Sequence, residues 1–214
     1  MIVEQLSVGP VQANCYVVGE NEGGRGLVID PGDESPRILE VVARHGLRIA
    51  AVVCTHAHFD HIGAVAEVCR ATGAPFLIHT GEREMLEAAP ERAEMMLGIR
   101  IPAPPTPDRW LAEGDEVTAG TLRFRVAFTP GHAPGHITLI GDGVAFDGDV
   151  LFAGSIGRTD LPGGSLEVLL RSIARTLLVL PDETVLYPGH GPPTTVGRER
   201  LTNPFLAGLM PLPD

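Results

Sequence analysis

Ala51-Val52-Val53-Cys54-Thr55-His56-Ala57-His58-Phe59-Asp60-His61 joins an apolar run directly to a burst of nitrogen and oxygen donors. The run predicts a buried strand, and the donors begin where it ends. In extended chain, residues two apart share a face. His56, His58 and Asp60 therefore point together, and His61 turns away as a helix starts.

Three other places repeat the arrangement. Arg125-Val126-Ala127-Phe128 leads through Thr129-Pro130-Gly131 to His132. Val144-Ala145-Phe146-Asp147-Gly148 leads to Asp149, and Val185-Leu186-Tyr187-Pro188-Gly189 to His190. Strand ends along one sheet edge converge in space, and α/β proteins build their sites there. Gly131, Gly148 and Gly189 let the backbone turn sharply before each donor. His56, His58 and His132 make a three-histidine metal site with an open position. Asp60, His61 and His190 make a second set, and the two oxygens of Asp149 suit a bridge. Two metals about 3.5–4 Å apart is the usual arrangement of two-metal hydrolysis. A single histidine at a strand end has an ordinary structural explanation, and His45 and His79 are read that way. Donors gathered at four strand ends are not. Nitrogen and oxygen donors without thiolate suit two divalent metal ions, zinc first, with iron or manganese also suited.

Composition narrows the substrate. Acidic residues outnumber basic ones 27 to 16, for a net charge of −11, and every base is arginine. An acidic chain without a basic run is a poor ligand for nucleic acid or an anionic membrane. A small-molecule substrate is expected instead, with no nucleic-acid or membrane partner. Cys15, Cys54 and Cys69 are too few and too scattered for a disulfide framework. Met1 to Gly9 has no basic segment followed by a long apolar one, and no stretch approaches the roughly 20 apolar residues of a membrane span. A cytoplasmic protein is expected; the sequence does not address its oligomeric state.

The 214 residues suit one domain, expected over 1–214. Strands are predicted at Ile2 to Val8, Cys15 to Val18, Gly26 to Ile29, Ile49 to Cys54 and Phe76 to Ile78. Further strands are predicted at Leu122 to Phe128, Ile137 to Ile140, Val144 to Phe146 and Thr184 to Tyr187. Ser35 is placed to cap a helix with Pro36 at its first position, and Gly46 to stop it. Other helices are predicted over Ile62 to Ala71, Ser165 to Leu178 and Thr195 to Leu201, with Thr80 to Leu97 helical but broken by Pro90. The proline-rich stretch 102–107, with Met95-Met96 and Trp110, is either a pocket wall or an ordinary loop packed by Trp110. Strands and helices in both halves give a mixed α/β layer fold.

His56-Ala57-His58-Phe59-Asp60-His61 matches the H-x-H-x-D-H signature of the metallo-β-lactamase superfamily, and Thr129-Pro130-Gly131-His132-Ala133-Pro134-Gly135-His136 resembles its T-P-G-H segment. Asp147-Gly148-Asp149-Val150-Leu151-Phe152 with Gly157-Arg158, and Pro188-Gly189-His190-Gly191, resemble the glyoxalase II (hydroxyacylglutathione hydrolase) branch. The resemblance implies an αββα four-layer sandwich of two mixed sheets flanked by helices. It implies a hydrolase that cleaves a thioester or ester with a metal-bridging hydroxide, oriented by Asp60. His136 is expected behind the metal ligands, and Arg158, at the end of the glycine-rich loop Gly154 to Gly157, is expected either on substrate or a supporting carboxylate, or in a surface salt bridge. Only Arg198 and Arg200 follow His190 as cations, and no lysine is present. The chain thus resembles a short bacterial subgroup without the C-terminal helical domain that grips glutathione. Weak S-D-lactoylglutathione hydrolysis is the expectation.

Gly157-Arg158-Thr159-Asp160 also resembles the persulfide dioxygenases, which use one iron, while His136 favours the hydrolases. True metallo-β-lactamases generally lack a counterpart of Asp149 and are usually exported. A non-catalytic metal-binding or sensing protein on the same fold is the alternative from another class.

Overall fold

The computed structural model describes residues 1–207, the side chain of Leu97 excepted. The domain expected over 1–214 thus reaches beyond the described residues. The first sheet runs in the order β1 (Ile2–Val8), β2 (Ala13–Gly19), β3 (Arg25–Ile29), β4 (Arg48–Val53), β5 (Phe76–His79) and β6 (Arg109–Leu111). Its β1–β2–β3 part is antiparallel, and β3 to β6 are parallel. Parallel neighbours need crossovers, and these are helical. They are α1 (Ser35–Arg44), α2 (Phe59–Ile62), α3 (Val65–Thr72) and α4 (Arg83–Leu97). The second sheet contains β7 (Glu116–Ala119), β8 (Leu122–Phe128), β9 (Ile137–Gly141), β10 (Val144–Gly148), β13 (Val185–Pro188) and β14 (Thr194–Thr195). A small hairpin, β11 (Leu151–Phe152) with β12 (Ser155–Ile156), precedes α5 (Leu166–Ser172), and α6 (Val196–Thr202) closes the described chain.

Period-two alternation builds the layers. On β2, Cys15 and Val17 face the core under α1, α3 and α4, whereas Tyr16 and Val18 face the core between the sheets. On β10, Val144 and Phe146 face that same central core, and Ala145 faces the core under α5 and α6. Three apolar cores separate four layers, helices outside and sheets inside, which is the αββα sandwich. Each large side chain buried there contributes about 1.5–3 kcal/mol.

The helices differ from expectation in four places. The α1 cap falls on Glu34, in the left-handed region at φ 52°, and no side chain caps the helix. Ser35 and Pro36 lie inside its first turn, where proline's missing N–H costs nothing. Pro90 does not break α4, which runs on through it to Leu97. Met85, Leu86, Ala89 and Ala93 bury one face of α4, and that packing outweighs the roughly 3 kcal/mol cost of an interior proline. The helix expected from Ile62 is two pieces, α2 and α3, and the one ending at Leu178 finishes in a π turn over Ile173–Leu177. Among the described residues, no helix is long and apolar enough to cross a membrane.

Candidate metal centre

Four strands deliver the donors to one edge of the sandwich. The chain leaves β4 at Val53 and reaches His56; it leaves β8 at Phe128 and reaches His132; Asp149 follows β10, and His190 follows β13. His58 caps α2, so Asp60 and His61 lie in its first turn. The first donor set is compact. His56 Nε2 lies 3.0 Å from His58 Nδ1, which lies 2.8 Å from His132 Nε2. The second set is Asp60, His61 and His190, with Asp60 Oδ2 3.6 Å from His61 Nε2 and 3.3 Å from His190 Nε2. Asp149 touches both. One of its oxygens is 3.6 Å from His61 Nε2, and the other is 3.4 Å from His132 Nε2.

The outward ring nitrogens of His132, His56 and His61 are tied, which fixes their tautomers. His132 Nδ1–H donates to the Arg158 carbonyl at 2.7 Å, leaving the Nε2 lone pair facing His58. Thr55 Oγ1 donates to Asp30 and therefore accepts from His56 Nδ1, at 3.0 Å. Asp30 Oδ2 lies 3.1 Å from His61 Nδ1, and His61 Nε2 is buried without a hydrogen-bond partner. One oxygen of Asp149 is buried and unpartnered too. Lone pairs aimed inward, with the far nitrogens held by acceptors, are how proteins prepare histidines for a cation. Nitrogen and carboxylate donors in these numbers fit two divalent cations.

The electrostatics agree. Burial drives the His56 pKa far down, and burial with the neighbouring His132 brings His58 to about 3, so both imidazoles are neutral. Burial also opposes a charge on His61, but Asp60, Asp149 and Asp30 outweigh it and raise its pKa to about 10. Three carboxylates around one buried ring make a place for positive charge. In the absence of a cation, His61 itself carries it. Burial pushes the Asp60 carboxyl up, but His61 and His190 pull it well below the usual carboxylate range, so it stays ionised.

The supporting residues were only partly foreseen. His136 is fully buried; its Nε2 accepts the backbone N–H of Asp149 at 3.1 Å, and its Nδ1 lies 3.1 Å from Thr129 Oγ1. Of the two places open to Arg158, the structure shows the surface salt bridge: its guanidinium forks onto Asp160 at 2.7 Å in solvent, and only its carbonyl reaches the site. Asp30, which none of the sequence motifs includes, sits at φ 51° and holds the Thr55 N–H, the Thr55 hydroxyl and His61. A lone aspartate after an apolar strand was the signal available for it. Asn14 Nδ2 donates to the carbonyls of Pro188 and Gly191, both at 2.8 Å, and so braces the loop that carries His190. That loop needs Gly189, since a Cβ there would stand 2.1 Å from Asp149 Oδ1.

A cleft beside Asp60 is lined by Val8, Pro10, Val11, Phe59, Ile99 and Ile101, with Asp33 as a further acid and no arginine. Ile99 and Ile101 precede the proline-rich stretch, and no residue of 102–107 lines the cleft. Trp110 packs against the helix-side core with Arg83 stacked on its ring at 4.4 Å.

Residues 8–190 match the model of the metallo-beta-lactamase superfamily. The chain is similar to the probable metallo-hydrolase YqgX of Bacillus subtilis, 42% identical over 96% of this chain and 97% of the relative. It is 37% identical to the hydroxyacylglutathione hydrolase GloC of Haemophilus influenzae, over 96% of this chain and 98% of that one. Among solved structures it resembles the BLEG-1 B3 metallo-beta-lactamase, with a TM-score of 0.91 and 41% identity over 97% of this chain and 100% of the other. It also resembles TTHA1623 in a di-iron-bound form, with a TM-score of 0.86 and 43% identity over 95% of this chain and 100% of the other.

Proposed function

The chain belongs to the metallo-beta-lactamase superfamily, and from that premise we propose that it is a metal-dependent hydrolase that uses two divalent cations to cleave a thioester or ester. The observation that carries this reading is Asp149, whose two oxygens lie within 3.6 Å of His61 on one side and 3.4 Å of His132 on the other. A carboxylate shared in this way joins two donor sets into one centre. His56, His58 and His132 would hold one cation, Asp60, His61 and His190 the other, and Asp149 both. Bound cations supply Lewis acidity for the carbonyl and lower the pKa of water from 15.7 to about 7.

The chain's own residues supply the rest. Ionised Asp60 is an acceptor only, so it holds a water by the water's proton and aims its lone pair at the carbonyl. The neutral imidazoles of His56 and His58 leave that part of the site's positive charge to the cations. The cleft beside Asp60 is lined mostly by apolar side chains, which suits contact with an uncharged acyl group better than with a charged one. Its lack of arginine offers no partner to the carboxylates of a glutathione moiety, so binding energy from that part of the substrate is small. The likeness to GloC supports the thioester class. The metal is proposed to be zinc, with iron or manganese tested beside it; the di-iron likeness supports iron.

The test is hydrolysis of S-D-lactoylglutathione against the matching thioester of a small thiol. Weak turnover of both, lost on chelation, is expected. A preference of about a hundredfold for glutathione, about 2.7 kcal/mol, would contradict the substrate assignment. A second reading, β-lactam hydrolysis, is favoured by the likeness to BLEG-1, and a cephalosporin in the same assay separates the two.

A further inference from the structure

Glu82 ends the single 3-10 turn Thr80–Glu82 that links β5 to α4, and it is wholly buried. Its Oε2 accepts the backbone N–H of Ala57 at 2.8 Å, and its Oε1 accepts that of Gly135 at 2.6 Å. Ala57 stands between His56 and His58. Gly135 stands between His132 and His136. The two loops come from different sheets, and one carboxylate bonds both.

We infer that Glu82 is the positioning residue that holds the three-histidine donor set together across the two sheets. The inference rests on the reading that His56, His58 and His132 hold a cation. Two geometric facts support it beyond the bonds themselves. The approach is close: a Cβ on Gly135 would stand 2.5 Å from the Gly81 carbonyl carbon and 2.6 Å from the Glu82 nitrogen, so no side chain fits between them. The clamp is also selective, because Glu82 bonds neither α2, which carries Asp60 and His61, nor the His190 loop. Hydrogen bonds to an ionised acceptor are roughly twice as strong as neutral ones. Two of them in a dry interior set the spacing between His58 and His132, which lie 2.8 Å apart at their facing nitrogens. Glu82→Gln keeps the shape but turns one acceptor into an NH2 group facing an N–H. One histidine loop is then released while the other stays bonded.

The experiment is cobalt(II) titration in a His190→Ala background, so that binding reports on the three-histidine set. Adding Glu82→Gln should weaken cobalt binding about tenfold or more and shift its visible absorption band. Glu82→Asp, which keeps the charge and shortens the reach, should weaken it less. Leu177→Ala, a core change under α5 remote from the site, is the control for lost stability and should leave affinity within about twofold. Unchanged cobalt affinity in Glu82→Gln would overturn the inference, as would an equal loss in Leu177→Ala. Failure of both Glu82 variants to fold while Leu177→Ala folds would overturn it too, by making the role one of fold alone. If the parent itself takes up no cobalt, the metal-site reading fails and this inference with it; if the parent binds and Glu82→Gln makes no difference, only this inference fails.

Discussion

His58 Nδ1 and His132 Nε2 lie 2.8 Å apart although 74 residues separate them in the chain. His132 Nδ1–H donates a hydrogen bond to the Arg158 carbonyl, which turns Nε2 inward toward His58. The arrangement stores an affinity for a cation, which gives the first prediction. Saturating zinc or manganese should raise the melting temperature, by the equivalent of about 2.7 kcal/mol when free metal is a hundred times Kd. A chelator should reverse it, and His132→Ala should abolish most of the gain. Calorimetry with and without metal checks this.

Asp60 is the side chain placed to orient water. Asp60→Asn should cut turnover by about 10²-fold or more. The melting temperature of the metal-free protein should fall as well, because Asp60 is one of the three carboxylates that face the charge on buried His61. Steady-state kinetics beside thermal melting separates the two effects. An unchanged rate would show that the second donor set is not needed.

Asp30 supports two histidines at once through Thr55 and His61. Asp30→Asn keeps a residue that tolerates the left-handed backbone at φ 51°. It forfeits one acceptor in a buried network. Metal affinity should fall by about 10–100-fold, measured by competition with a chromophoric chelator.

His45 lies outside the site, at the end of α1, with Nδ1 2.8 Å from Glu22 and Nε2 2.8 Å from Glu4. The bond to Glu22 and then that to Glu4 raise its pKa above the ordinary histidine value. A raised folded pKa means the contribution to stability is complete below about pH 6.5 and is lost as pH rises through the folded value. His45→Ala should therefore lower the melting temperature more at pH 6 than at pH 9. Equal losses at both would show that charge is not involved.

The site's donors were legible because each follows an apolar strand directly. Glu82 was not legible. It sits among the charged residues of Thr80 to Leu97, and nothing local distinguishes it from Glu84 or Glu87 until Ala57 and Gly135 arrive from elsewhere. Arg158 stayed open between two places for the opposite reason. A motif names the residue, but its neighbour Asp160 decides where the guanidinium points. Pro90 misled because local propensity counts only the lost hydrogen bond, whereas Met85, Leu86, Ala89 and Ala93 add burial that only the folded chain reveals. Short strands such as β6 and β7 are too brief to show a period, and their neighbours define them.

The central claim is a two-cation hydrolase, and stoichiometric reactivation tests it most directly. Protein stripped of metal should show no thioester hydrolysis. Added zinc, iron(II) or manganese should restore the rate, which should keep rising until about two equivalents per chain are bound. Full activity at a single equivalent of iron with oxygen uptake, or no hydrolysis at any loading, would contradict the account.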